Sequence, residues 1–114
     1  MSVNNMGDLL KNAGKIRKQI DQVQEELKER VVEAKAGDGM VSVMVSGQQE
    51  LLKVSLSPDI ASHISSDDPD DIELLEDMIV AAVAQGMEKA KELKEAEISK
   101  VTGGMASGLS GLLF

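Results

Sequence analysis

The sequence predicts an α+β fold in which a helix, a three-stranded antiparallel sheet and a second, longer helix follow one another. Three observations predict it. Apolar residues recur at steps of three and four up to Leu27, and again from Ile72 onward. Between these stretches they recur at every second position in three short runs. Glycine-containing turns separate the runs, which implies a meander.

In the first helix Leu9, Ala13, Ile16, Ile20, Val23 and Leu27 form an a/d stripe, the pattern of a helix lying along another helix. Asp8 is placed to suit the positive end of that helix's dipole. Gly14 weakens the helix locally and offers a point of close backbone approach. Val32, Ala34 and Ala36 then alternate with Glu33 and Lys35 as a first strand. Gly37-Asp38-Gly39 turns the chain into Val41, Val43 and Val45, alternating with Ser42, Met44 and Ser46. Gly47-Gln48-Gln49 turns it again into Leu52, Val54 and Leu56, alternating with Lys53, Ser55 and Ser57. The Val/Leu face of this sheet is expected to meet the helices.

Pro58 ends the third strand, and a loop with a short helical turn around Ile60–Ile64 is expected after it. Asp68 reads as an N-cap, Pro69 as the first helical residue, and Asp70 and Asp71 as dipole partners. Ile72, Leu75, Ile79, Ala82, Gly86, Ala90 and Leu93 make the stripe of the long second helix. Its small residues Ala82, Gly86 and Ala90 predict close helix packing. Thr102-Gly103-Gly104 stops it. Residues 1–104 read as a single domain and 105–114 as a flexible Gly/Ser-rich tail.

The 114 residues contain no cysteine and a single aromatic residue, Phe114. There is no disulfide framework, and a thin aliphatic core points to burial against a second chain, hence a homodimer. No basic, apolar leader opens the sequence, and its longest apolar run, Met78–Ala84, is too short to span a bilayer. A soluble, cytoplasmic protein without a membrane partner is expected. A helix of about thirty residues spans roughly 45 Å, and a strand of about seven only roughly 23 Å. Helix must therefore project from the sheet as an arm.

The net charge of −8 is unevenly spread. Residues 1–35 hold seven basic and six acidic side chains, residues 36–75 one basic and eight acidic, and residues 76–114 four basic and six acidic. Eleven of the twelve cations thus lie in the two ends of the chain. No Cys accompanies His63, the Asp67, Asp68, Asp70 and Asp71 cluster follows no calcium-loop spacing, and neither glycine turn is a phosphate loop. No nucleophile motif is present, so no enzyme, catalytic residue, metal, cofactor or small-molecule substrate is expected.

Several stretches in order resemble the YbaB/EbfC family of nucleoid-associated proteins. They are the Lys/Gln/Glu-rich helix Lys11–Glu29; Ala36-Gly37-Asp38-Gly39-Met40-Val41-Ser42-Val43; Gly47; and Val54-Ser55-Leu56-Ser57-Pro58. The helix opening at residues 71–82 and Thr102-Gly103-Gly104-Met105 complete the set. At Ala84-Gln85-Gly86 the chain departs from an asparagine usual in that family. The resemblance implies a tweezers-like homodimer with projecting helical arms, located in the nucleoid. It also implies binding of double-stranded DNA, with effects on nucleoid organisation or transcription.

Lys11, Lys15 and Lys18, with Arg17 beside them, are the first candidates for phosphate contact; the bland alternative is a solvated face with pairs such as Arg17–Asp21. Lys89, Lys91, Lys94 and Lys100 are further candidates, although their interleaving with Glu88, Glu92, Glu95 and Glu97 favours pairing within the helix. No aromatic side chain interleaves with the cations, which argues against stacking on single strands. Duplex DNA held mainly through phosphates, with little sequence preference, is the expected ligand. The competing expectation is a protein-interaction module using the same arms, with Met40, Met44, Met78 and Met87 as adaptable contacts.

Overall fold

The computed structural model describes residues 3–103. The elements are α1 (Val3–Leu27), β1 (Val31–Ala36), β2 (Val41–Ser46), β3 (Leu51–Leu56), a 3-10 turn (Pro58–Ser62) and α2 (Pro69–Thr102). The α+β order read from the sequence is the order observed. The expected tail, residues 105–114, lies outside the described residues, as does Gly104.

The two helices begin differently. The Asp68 backbone is extended, and its carboxylate accepts the Asp70 N–H at 2.9 Å, which makes it the N-cap of α2. The Asp71 carboxylate accepts the Ser65 N–H at 2.9 Å, so the acidic cluster ties the loop to the helix start. At the other end Gly103 closes α2 in a left-handed conformation, φ 63°, with its N–H on the Ser99 carbonyl. By contrast α1 starts at Val3 with no acid in its first turn. Asp8 therefore sits past the turn where the dipole acts, contrary to expectation. A Cβ built on Gly14 would meet nothing within 4 Å, so the close approach expected there is not used.

The sheet has the order β1-β2-β3, antiparallel throughout. Val32, Ala34 and Ala36 pair with Val45, Val43 and Val41, which puts one apolar face beneath α2. Val41, Val43, Val45 and Ala34 are buried there with Met78, Ala82 and Ala90. The helix sits very low on the strands. A Cβ on Gly86 would lie 2.7 Å from Val45 Cγ2 and 3.0 Å from Val43 Cγ2. The Ala82, Gly86, Ala90 stripe thus gives the close helix packing expected of it, with the sheet as the partner.

A second correction concerns β3. Its Val54 and Leu56 oppose Val43 and Val41, on the face that α2 covers, and a bulge brings Leu51 against Val45. Yet Leu51, Leu52, Val54 and Leu56 remain 39–52% exposed. The reason is width. A helix about 10 Å across covers two strands spaced about 4.8 Å apart, not three. α2 lies over β1 and β2 and barely reaches β3.

Beyond the sheet α2 continues as half of an arm. Ile20, Leu27 and Ile98 are buried there, outside the main core. Arg30 faces Glu97, while Gln19, Gln22 and Val23 share a groove with Lys100 and Val101, so the helices run antiparallel. Since α2 stops at Thr102, the N-terminal part of α1 runs past its end. The molecule measures 75 × 21 × 16 Å.

Candidate nucleic-acid interface

At 100° per residue the Ile16, Ile20, Val23 and Leu27 stripe of α1 faces α2, and Lys11, Lys15 and Lys18 fall on the opposite side. All three are exposed. Arg17 is exposed too, but it lies about 100° round the helix from Lys18. The sequence set it beside the lysines; the helix sets it on the flank. Among the described residues none of the four makes a side-chain hydrogen bond or an ion pair, so the Arg17–Asp21 pair of the bland alternative is not formed.

Charge changes sign along this helix. Residues 10–20 carry Lys11, Lys15, Arg17 and Lys18 and no acid, whereas residues 21–29 carry Asp21, Glu25, Glu26 and Glu29 against Lys28. Lys28 is itself bonded to Glu25 at 3.0 Å. An anion is attracted to the distal half of α1 and repelled from the half nearest the sheet. The three lysines span roughly 10 Å of axis, about three steps of a duplex strand.

The lysines of α2 are arranged otherwise. Lys89 donates to the Glu33 carbonyl at 2.9 Å, which ties it to β1. Lys91 is exposed next to Ala90, which is buried in the main core, so it sits at the sheet and not on the arm. Lys94 is half-buried and engaged. Lys100 reaches the arm groove but is bonded to Glu97 at 3.0 Å. That bond, the attraction of Lys100 and the attraction of Arg30 hold the Glu97 carboxyl below its ordinary value, with partial desolvation opposing them. The eight candidate cations therefore do not form one surface. Of those without a polar partner among the described residues, Lys11, Lys15, Arg17 and Lys18 lie on distal α1 and Lys91 lies apart at the sheet.

Sequence reading missed what holds α1 in place. Gly47-Gln48-Gln49 was legible only as a turn. In the fold Gly47 is buried against Leu27, and its N–H donates to the Arg30 carbonyl at 2.9 Å. The Gln48 amide donates to the Gln24 carbonyl at 2.5 Å. A glycine at a turn without positive φ is the only signal that could have pointed there, and φ is not visible in a sequence. His63 is exposed at the far end of the body and takes no part in this surface.

A model of the YbaB/EbfC DNA-binding family matches residues 1–105 of this chain. A nucleoid-associated protein of Acetivibrio thermocellus is 44% identical over 108 residues, 95% of this chain and 89% of that protein. One from Agathobacter rectalis is 44% identical over 105 residues, 92% of this chain and 88% of that protein. The crystal structure of an uncharacterised Helicobacter pylori protein superposes with a TM-score of 0.61 at 24% identity, over 84% of this chain and 91% of that one, which shows the shared fold.

Proposed function

This chain belongs to the YbaB/EbfC DNA-binding family, and on that premise we propose that it binds duplex DNA through phosphate contacts made by the distal half of α1. One observation carries the reading. A stretch of helix with four cations and no acid projects from a protein of net charge −8, and those four cationic side chains make no hydrogen bond or ion pair with another described residue. Lysines that neutralise phosphates release counterions, so binding is steeply salt-dependent. Base-edge reading needs side chains placed in a groove, and a row of three lysines supplies point charges in place of a donor–acceptor pattern. Sequence preference is accordingly weak. The role is non-enzymatic: it places the protein on the nucleoid, where it organises DNA or influences transcription.

The uncovered face of β3 supports a homodimer. Leu51, Leu52, Val54 and Leu56 form an apolar strip along an open sheet edge. An unpaired edge of this kind is an association site unless something covers it. Completing the burial of the four half-covered β3 side chains is worth roughly 1 kcal/mol apiece. A second copy doubles the number of basic arms, which lets two weak phosphate-binding surfaces act together.

The test is fluorescence anisotropy of a labelled duplex across a salt series. Binding whose logarithm falls linearly with the logarithm of salt supports the reading, with a slope of about −0.9 for each phosphate neutralised. Absence of binding at low salt by folded protein overturns it and favours the protein-interaction module.

A further inference from the structure

We propose that Gly47 and Gln48 are positioning residues for DNA binding. In this view the β2–β3 turn fixes the roll and axial register of α1, and so the direction in which Lys11, Lys15 and Lys18 point. The inference rests on the DNA-binding reading and adds residues that touch no DNA.

Among the described residues, support for α1 is confined to one end. Its C-terminal half packs on α2, but the segment bearing the lysines extends beyond Thr102. It is a cantilever, so a rotation at its root is carried to every side chain along it. Rotation by one residue's worth, about 100°, would turn the three lysines from the outward face to the flank.

The root is where the turn grips. A Cβ on Gly47 would fall 2.5 Å from the Leu27 carbonyl oxygen and 2.9 Å from Leu27 Cδ2. The first of these is backbone and cannot rotate away, so any larger residue must push α1 and the turn apart. The Gly47 N–H and the Gln48 amide then bond on either side of Leu27, to the carbonyls of Arg30 and Gln24. A helix leaves its last four carbonyls without helical partners, and Gln48 satisfies one of them. One bond to the last turn of the helix, one close approach at its final residue and one bond to Arg30 just past its end define both the rotation and the height of α1.

The turn is rigid enough for this task. The buried Ser46 hydroxyl accepts the N–H groups of Gln48 and Glu50 at 3.2 Å each, and the Ser46 N–H donates to the Glu50 carbonyl at 2.8 Å. Gln49 holds φ at 61°, and its amide reaches the Met87 carbonyl of α2 at 3.5 Å. The turn therefore joins α1, α2 and the sheet at one point.

The experiment compares wild type with Gly47→Ala and Gln48→Ala in two readouts. The protein has no cysteine, so Asn12→Cys and Ser55→Cys can be spin-labelled without interference. Labelled chains are diluted into unlabelled chains, and the arm-to-sheet distance is measured by pulsed electron resonance. Duplex affinity is measured across the same salt series. The expected result is a narrow distance in wild type and a displaced or broadened one in both variants, with intact helix content. Affinity falls about tenfold at 0.1 M salt for each phosphate that is no longer neutralised, and the salt slope shallows with it. Lowered thermal stability with an unchanged slope would mark a merely structural role and overturn the proposal. Distances like those of wild type overturn it too, and so do displaced arms with undiminished affinity. Displaced arms in a protein whose wild type binds no duplex overturn the DNA reading and leave the mechanical role of the turn standing.

Discussion

At the scale of residues, cations must be sorted by what surrounds them. Lys28, Lys35 and Lys100 have carboxylate partners, and Lys89 has a backbone carbonyl. Lys11, Lys15 and Lys18 have none among the described residues. Spacing in the sequence found their common face, because four- and three-residue steps on a helix leave no other placement. It could not show that Lys89 is drawn to β1, fifty-six residues away in sequence. Replacing Lys15 by Ala is expected to reduce the salt slope by about 0.9 and Arg17→Ala by less, as read by duplex anisotropy. Glu97 carries a pH signature. Its pKa is lowered on folding, so its pairing with Lys100 and Arg30 contributes above the ordinary carboxylate value of 4.5 and fades as pH falls through the depressed one. The hydrogen-exchange protection of residues 95–102, corrected for the pH dependence of the intrinsic rate, is expected to fall on acidification in the wild type and to change less in Glu97→Gln.

At the scale of elements, ends were more legible than faces. Asp68-Pro69 and Gly103 announce the start and stop of α2 because capping chemistry is local. The partner of its small-residue stripe was not legible, since a helix and a sheet both accept a close approach. Asp68→Ala is expected to destabilise the fold by about 1 kcal/mol in thermal or denaturant unfolding. Gly86→Val tests the seat of α2 on β2. Its first carbon would already stand 2.7 Å from Val45 Cγ2, so a loss of about 1–3 kcal/mol is expected despite the better helix propensity of valine. The exposure of β3 was hidden for a related reason. Alternation in Leu52, Val54 and Leu56 states which face they share, whereas the width of the covering helix decides whether that face is buried.

At the scale of the whole molecule, the length mismatch between helices and strands foretold an arm, and the 75 Å extent shows one. Charge is divided along that length. The distal arm is basic, and the loop and α2 start at the opposite end hold Asp59, Asp67, Asp68, Asp70 and Asp71. In the proposed reading this division attracts a duplex to the arm and keeps it from the body, which lets a protein of net charge −8 bind a polyanion. The exposed β3 strip belongs to this scale as well. Val54→Asp is expected to shift the protein from dimer to monomer in sedimentation equilibrium while helix content persists, and weaker duplex binding should follow from the loss of a second arm. Whether distal α1 holds the phosphates is decided by comparing the duplex salt slope of wild type with that of a variant carrying Lys11→Ala, Lys15→Ala and Lys18→Ala. A folded variant whose slope is shallower by about 0.9 per lysine removed is expected. A folded variant with the slope and affinity of wild type would place the phosphates elsewhere and refute the assignment of this arm.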